Sequence, residues 1–234
     1  LDFGKEIHGC VLVTTLDTSI RPVLGRIVYG ESVSEALSSI GEKNATNAHA
    51  IRDMKVEFMP WSTSKFGETG FRFAKVEAID GDIRVKTIKA GPDILDIPKI
   101  GSFECDGARL NRIWEVAAYT VQLNMHEYVW DGIKRDRLVW IGDMHPEVST
   151  IRNVFGKTEC VMRSLDFVRD ETKPDEWMNS MPTYSMWWII IHYDWFMHWG
   201  DFNYLKEQVP CAKTIVDMAL SWINSGYDCA DFKT

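Results

Sequence analysis

Short β-favouring runs, punctuated by Gly, Asn and Asp, fill the first hundred positions. Cys10–Thr15, Gly25–Tyr29, Lys55–Phe58, Phe71–Ile79 and Ile83–Ile88 are the clearest. Their composition and length fit strands. Asp80-Gly81-Asp82 lies between the last two runs and predicts a hairpin, because glycine tolerates the positive φ of a tight primed turn. Several strands at short spacing favour a sandwich over a parallel sheet. The polar stretch Ser32–Thr46 reads as a loop or short helix, and Gly91-Pro92 to Pro98 with Gly101 reads as a linker.

The period then changes. Leu110, Ile113, Trp114, Ala117, Ala118, Val121, Met125 and Tyr128 recur at helical spacing, with Asp106 as the predicted N-cap. A second helical region spans Pro146 to Asp170, with a break near Gly156. A third runs from Tyr184 to Trp199. Gly200-Asp201 gives a stop and a start, and a fourth helix covers Phe202 to Asn224, ending at Gly226. The last helices have few polar faces, so they are expected to need neighbours outside these residues. The pattern divides the chain into a β domain over 1–97 and a helical domain over 98–234.

Composition narrows the function classes. A net charge of −8 in 234 residues argues against a nucleic-acid partner, since phosphate binding needs a basic surface. The apolar run Met186–Trp199 is too short for a membrane span and carries His192, Asp194 and His198. Ten Trp residues fit either a large aromatic core or a cleft whose flat apolar walls suit sugar rings. Cys10, Cys105, Cys160, Cys211 and Cys229 contain no CxxC pair and read as buried thiols.

The segment Trp130–Asp143 concentrates the chemistry. Three acids, three bases and two Trp fall within fourteen residues. A salt-bridged loop between helices is one account, since ion pairs are commonly structural. The other is a carboxyl group tuned for acid catalysis, raised by nearby acids and Trp desolvation and lowered by Lys134, Arg135 and Arg137. The sequence leaves the sign of that balance open.

Asp131, Gly132, Arg135, Asp136, Arg137, Trp140, Gly142 and Asp143 stand at the spacing of a known loop, Asp-(Gly/Cys)-x-x-Arg-(Asp/Glu)-Arg-x-x-Trp-x-Gly-Asp. The segment resembles that loop of the α-L-rhamnosidases of glycoside hydrolase family 78. Leu1–Glu6 with Gly9 looks like a strand of that family's β-sandwich. Ser102–Asp106 with Trp114 and Ala117 is similar to the entry of its first barrel helix, and Trp199-Gly200-Asp201 to one of its interhelical turns. The resemblance implies a β-sandwich followed by the first helices of an (α/α)₆ toroid. It also implies an inverting glycosidase, whose acid and base carboxyl groups stand about 6.5–9.5 Å apart.

On that resemblance Asp136 matches the general acid, often Glu in the family. Asp131 and Asp143 match positions that hydrogen-bond rhamnose hydroxyls. Arg135 matches an orienting position, and Trp140 offers an apolar face. The general base is expected beyond Thr234, on helices that complete the barrel. The expected partner is a rhamnose-containing glycoside or polysaccharide, with no nucleic acid, no membrane, no cofactor and no metal. A non-catalytic carbohydrate-binding or scaffold module is the competing class, and another (α/α)₆ glycosidase family is a third reading.

Other candidates are weaker. Trp187 or Trp188 is expected to add aromatic wall, although core packing explains most of that run. Asp194 and His198, four apart, suit a buried hydrogen-bonded pair better than a metal site. His126 and Glu127 fit either the cleft or a helix C-terminus. Asp106, Glu115 and Asp166 read as caps or surface charges.

Overall fold

The computed structural model describes residues 1–42 and 52–224. Cys229, the Gly226 stop and the end of the polar stretch at 43–46 lie outside the described residues. Contacts divide the chain into two units, Leu1–Asp96 with Gly132–Arg137, and Ile97–Asp131 with Leu138–Thr234.

The first unit is a five-stranded antiparallel sheet in the order β3-β2-β4-β1-β5. The strands are β1 (Asp2–Thr18), β2 (Val23–Gly30), β3 (Asp53–Phe58), β4 (Ser62–Ala78) and β5 (Ile83–Pro92). A short helix, α1 (Val33–Leu37), follows β2. Alternating inward positions on these strands, among them Val11, Val13, Val23, Ile27, Tyr29, Phe58 and Phe71, build one apolar core. Tyr29 and Phe71 meet edge to face at 4.9 Å, a geometry aromatic quadrupoles favour.

The predicted hairpin at Asp80-Gly81-Asp82 does not form. β4 and β5 lie on opposite sides of β1 and do not pair with each other. The turn bonds instead to the β1–β2 connection and the start of β2: Ser19 N–H donates to the Asp82 carbonyl, and Leu24 N–H to the Asp80 carboxylate. Gly81 is needed for close approach, since a Cβ there would stand 2.6 Å from Ser19 Oγ. The linker also begins later than expected. Gly91 and Pro92 are the end of β5, paired to Cys10 and Gly9; proline is tolerated on such an edge strand.

The second unit is helical: α2 (Ala108–Asn124), α3 (Met144–Val154), α4 (Glu159–Glu171), α5 (Pro182–Trp199) and α6 (Phe202–Asn224). α3 buries Met144, Val148, Ile151 and Val154, one face at helical spacing. The break in the second helical region falls at Gly156, φ +84°. Gly200 ends α5 in the left-handed conformation, and Asp201 caps α6 by accepting from Tyr204 N–H.

Three readings of this unit need correction. Gly107, not Asp106, is the N-cap of α2; the Asn111 amide takes over the preceding turn by bonding both the N–H and the carbonyl of Cys105. α2 ends at Asn124, short of Tyr128, because Met125 and Val129 form an isolated bridge. Asp166 is neither cap nor idle surface charge: Arg169, Tyr204 Oη and Gln208 Nε2 all donate to it, tying α4 to α6. Cys105 and Cys211 are only half-buried, unlike Cys10 and Cys160. No described helix is long and apolar enough to cross a membrane.

Candidate active site

Asp131 and Leu138 close the neck of the acid-rich loop. Asp131 N–H donates to the Leu138 carbonyl at 3.1 Å, and Leu138 N–H donates to Asp131 Oδ1 at 2.9 Å. Past the neck, Val139, Trp140 and Ile141 run alongside Asn179. Its side-chain amide accepts from Ile141 N–H at 3.0 Å and donates to the Val139 carbonyl at 3.2 Å. One side chain thus imitates a strand partner and fixes the backbone on both sides of Trp140. Asn179 sits at φ 50°, which Asn tolerates better than most residues.

The Trp140 ring meets Tyr184, at the start of α5, edge to face at 6.1 Å. Tyr184 packs directly over Gly142, where a Cβ would lie 2.2 Å from Tyr184 Cε1. Tyr184 Oη also lies 3.4 Å from Asp143 Oδ2 as donor. Asp143 is exposed and caps α3 by position, without a side-chain capping bond.

One turn into α3, Glu147 carries the most perturbed carboxyl of this group. Burial pushes its pKa up to about 8, helped by the negative charges of Asp143 and Asp131. Its Oε2 is buried without a hydrogen-bond partner. Asp131, Trp140 and Asp143 therefore share one unit with Glu147 and Tyr184.

Arg135 and Asp136 belong to the sheet unit. Asp136 has φ 60° and Arg137 φ 55°, a left-handed conformation uncommon for residues other than glycine. Arg137 N–H donates to the Arg135 carbonyl at 2.8 Å, closing a three-residue turn centred on Asp136; with positive φ it is the rarer, strained form of that turn. Such strain costs roughly 1–3 kcal/mol and persists only where the surroundings over-determine it. Arg135 Nε stands 3.8 Å from Asp136 Oδ2, with the arginine side chain 67% exposed. An exposed pair at that distance contributes little to stability.

Among the weaker candidates, Trp188 is fully buried and donates to the Leu165 carbonyl; it is core, not wall. Trp187 is 37% exposed and lies against the His145 ring at 4.7 Å. Asp194 does not pair with His198. It meets His145 Nε2 at 3.1 Å and Arg152 at 3.9 Å, because α3 packs against that face of α5. His126 stacks on Trp130 at 3.9 Å, and its Nε2 bonds the Leu123 carbonyl.

The family model described as the bacterial alpha-L-rhamnosidase 6 hairpin glycosidase domain matches residues 98–231, more than half of the chain. The chain belongs to that family. An alpha-L-rhamnosidase of Formosa agariphila is 33% identical over 155 residues, covering 62% of this chain and 16% of its own length. A rhamnosidase from Klebsiella oxytoca, solved with rhamnose bound, superposes with a TM-score of 0.84 at 19% identity, covering 94% of this chain and 48% of that one. The family 78 rhamnosidase of Bacillus sp. GL1 gives 0.79 at 21% identity, over 95% and 24%.

The antiparallel sheet followed by helices accordingly matches part of the family 78 rhamnosidase fold, which is a β-sandwich followed by a helical toroid. The chain spans about half or less of the length of these relatives. In this family setting the residues that sequence reasoning missed are Glu147, Asn179 and Tyr184. Asn179 and Tyr184 lie some forty positions from the loop they support, and nothing in their local sequence marks that role. Glu147 gave a partial signal, four residues after Asp143 and so on the same helical face.

Proposed function

We propose that this chain carries the acid half of the catalytic centre of an inverting α-L-rhamnosidase. Asp136 is the general acid that protonates the departing glycosidic oxygen. Asp131 and Asp143 accept hydrogen bonds from the hydroxyls of the terminal rhamnose, and Arg135 orients a carboxylate or hydroxyl. Trp140, braced by Tyr184, offers an apolar face to a sugar that carries a methyl group in place of a hydroxymethyl. The substrate is a rhamnose-containing glycoside or polysaccharide. The general base that activates water comes from toroid helices outside these 234 residues, and the β and helical domains are 1–97 and 98–234.

The observation that carries this reading is the loop itself in a chain of this family. Its Asp136 is presented on a strained turn beside an exposed arginine, and its neck and exit carry two carboxylates and a braced Trp. A purely structural salt-bridged loop has no need to hold Asp136 at positive φ.

Asp136→Asn in the full-length enzyme tests it. General acid catalysis is worth about 10²–10⁴-fold, and that loss should fall on alkyl rhamnosides, whose leaving group needs the proton. A nitrophenyl rhamnoside should lose far less. Equal losses on both substrates would remove Asp136 from the acid role. Retention of configuration in the released rhamnose, read by NMR, would remove the inverting mechanism.

A further inference from the structure

Lys134 lies two residues before Asp136, yet it is among the most buried lysines possible, 6% exposed. It is hydrogen-bonded to the Glu35 carboxylate of α1, itself 11% exposed, and stands 3.5 Å from Glu31. Glu35 is further held by Arg52, 2% exposed, at 3.2 Å. Burial alone would raise the Glu35 pKa; hydrogen bonds from Lys134, Glu31 N–H and Arg52 outweigh it and hold the group below the ordinary carboxylate range. Such a charged set is costly to bury and is kept only with close partners.

Two further contacts fix the same segment. Ile133 packs onto strand β4 where Gly70 leaves room: a Cβ on Gly70 would stand 2.6 Å from Ile133 Cγ1 and 3.1 Å from Lys134 Cβ. Arg137 donates to the Glu68 carbonyl of the same strand at 3.0 Å. Residues 133, 134 and 137 are therefore all tied to the sheet unit. Asp136 and the exposed Arg135 are left on the tip of the turn.

We infer that Lys134, locked into Glu35 and seated over Gly70, is the positioning residue for the general acid: the β domain, through this buried pair, sets where the Asp136 turn sits. Lys134 has no free ammonium to offer a sugar, so its action runs through Asp136. The inference rests on the reading of Asp136 as the acid. α1 and β4 of the sheet unit thereby help to place the acid.

The test uses two perturbations of different kind in the full-length enzyme. Lys134→Met removes the charge and keeps the length. Gly70→Ala keeps every charge and wedges the segment off the strand. A displacement near 1 Å at a reacting group costs on the order of 100-fold. Both variants should lose about 10- to 100-fold in kcat on an alkyl rhamnoside, and at most a few-fold on a nitrophenyl rhamnoside. KM should change little, and Lys134→Arg should restore part of the loss.

A merely structural role lowers the folded fraction and so depresses both substrates alike; rates are normalised to active enzyme by titration and the melting temperature is followed in parallel. If either soluble variant keeps wild-type activity, or loses both substrates equally, the inference is overturned. Asp136→Asn is run alongside. If it shows the leaving-group signature and the two variants do not, only the positioning role fails. If Asp136→Asn lacks the signature, the acid assignment itself fails.

Discussion

Glu147 sits between two opposing electrostatic effects. It lies in the first turn of α3, where the helix dipole favours a charged carboxylate. Burial and the charges of Asp143 and Asp131 act the other way and win, giving a pKa of about 8 against an ordinary 4.5. A group that holds its proton more tightly when folded stabilises the fold below its unfolded pKa. That contribution is fully present below pH 4.5 and is lost as pH rises through about 8. Glu147→Gln carries no ionisable group, so its stability should fall less over that interval than wild type. The check is the urea midpoint at several pH values. A wild-type and variant difference that stays constant from pH 5 to about 9 would contradict it.

His192 slopes the opposite way. Burial holds its pKa down at about 4, so its contribution is present above its ordinary 6.5 and lost as pH falls. The variant-minus-wild-type comparison isolates Glu147 from this term. The shift of neither group is legible in the sequence, because burial is a property of the packed neighbours and not of the local residues.

Elements were legible where the chain's own period decides them. The helix break at Gly156, the Gly200 stop and the Asp201 start follow from local chemistry, and the structure has all three. Strand partners are decided by distant residues, which is why Asp80–Asp82 reads as a hairpin although β1 fills the space between β4 and β5. The site shows the same division. The residues of the loop are visible in the sequence, whereas the short Met178–Ser180 turn that braces it becomes visible only in the fold.

That brace makes a specific prediction. Asn179→Ala removes two hydrogen bonds and leaves the partly buried Ile141 N–H unpaired, a loss of about 2 kcal/mol. It also places alanine at φ 50°, adding roughly 1 kcal/mol. Asn179→Gly removes the bonds without that conformational strain, so it should be nearer the smaller figure, and both should raise KM for rhamnosides by loosening Trp140. Gly142→Ala should cost a comparable amount, since its methyl group meets the Tyr184 ring at 2.2 Å and overpacking costs about 1–3 kcal/mol. Chemical denaturation and steady-state kinetics together check these. An unchanged KM in folded Asn179→Gly would detach Asn179 from the proposed role of Trp140.

At the scale of the molecule, α5 is apolar on nearly every side. One face buries Trp188, Ile191 and Trp195, while Met186, Ile190, Tyr193 and Met197 are exposed on the other. A helix apolar all round belongs inside a larger assembly, and the Klebsiella relative is about twice as long as the stretch matched here. If the outer face of α5 packs against further toroid helices, two opposite effects follow from one change. In the 234-residue chain produced alone, Ile190→Lys with Tyr193→Lys should reduce self-association, because a charged face no longer seeks an apolar partner. In the full-length enzyme the same pair should be strongly destabilising, by several kcal/mol, because two charges are buried without partners. Sedimentation velocity on the short chain and thermal unfolding of the full-length enzyme read the two arms. Greater tolerance in the full-length enzyme than in the short chain would mean that face stays open to water. If, as proposed, the acid lies within these residues and the base outside them, the short chain should in either case hydrolyse rhamnosides at a small fraction of the full rate, since an acid without a base to activate water completes only half of a single displacement.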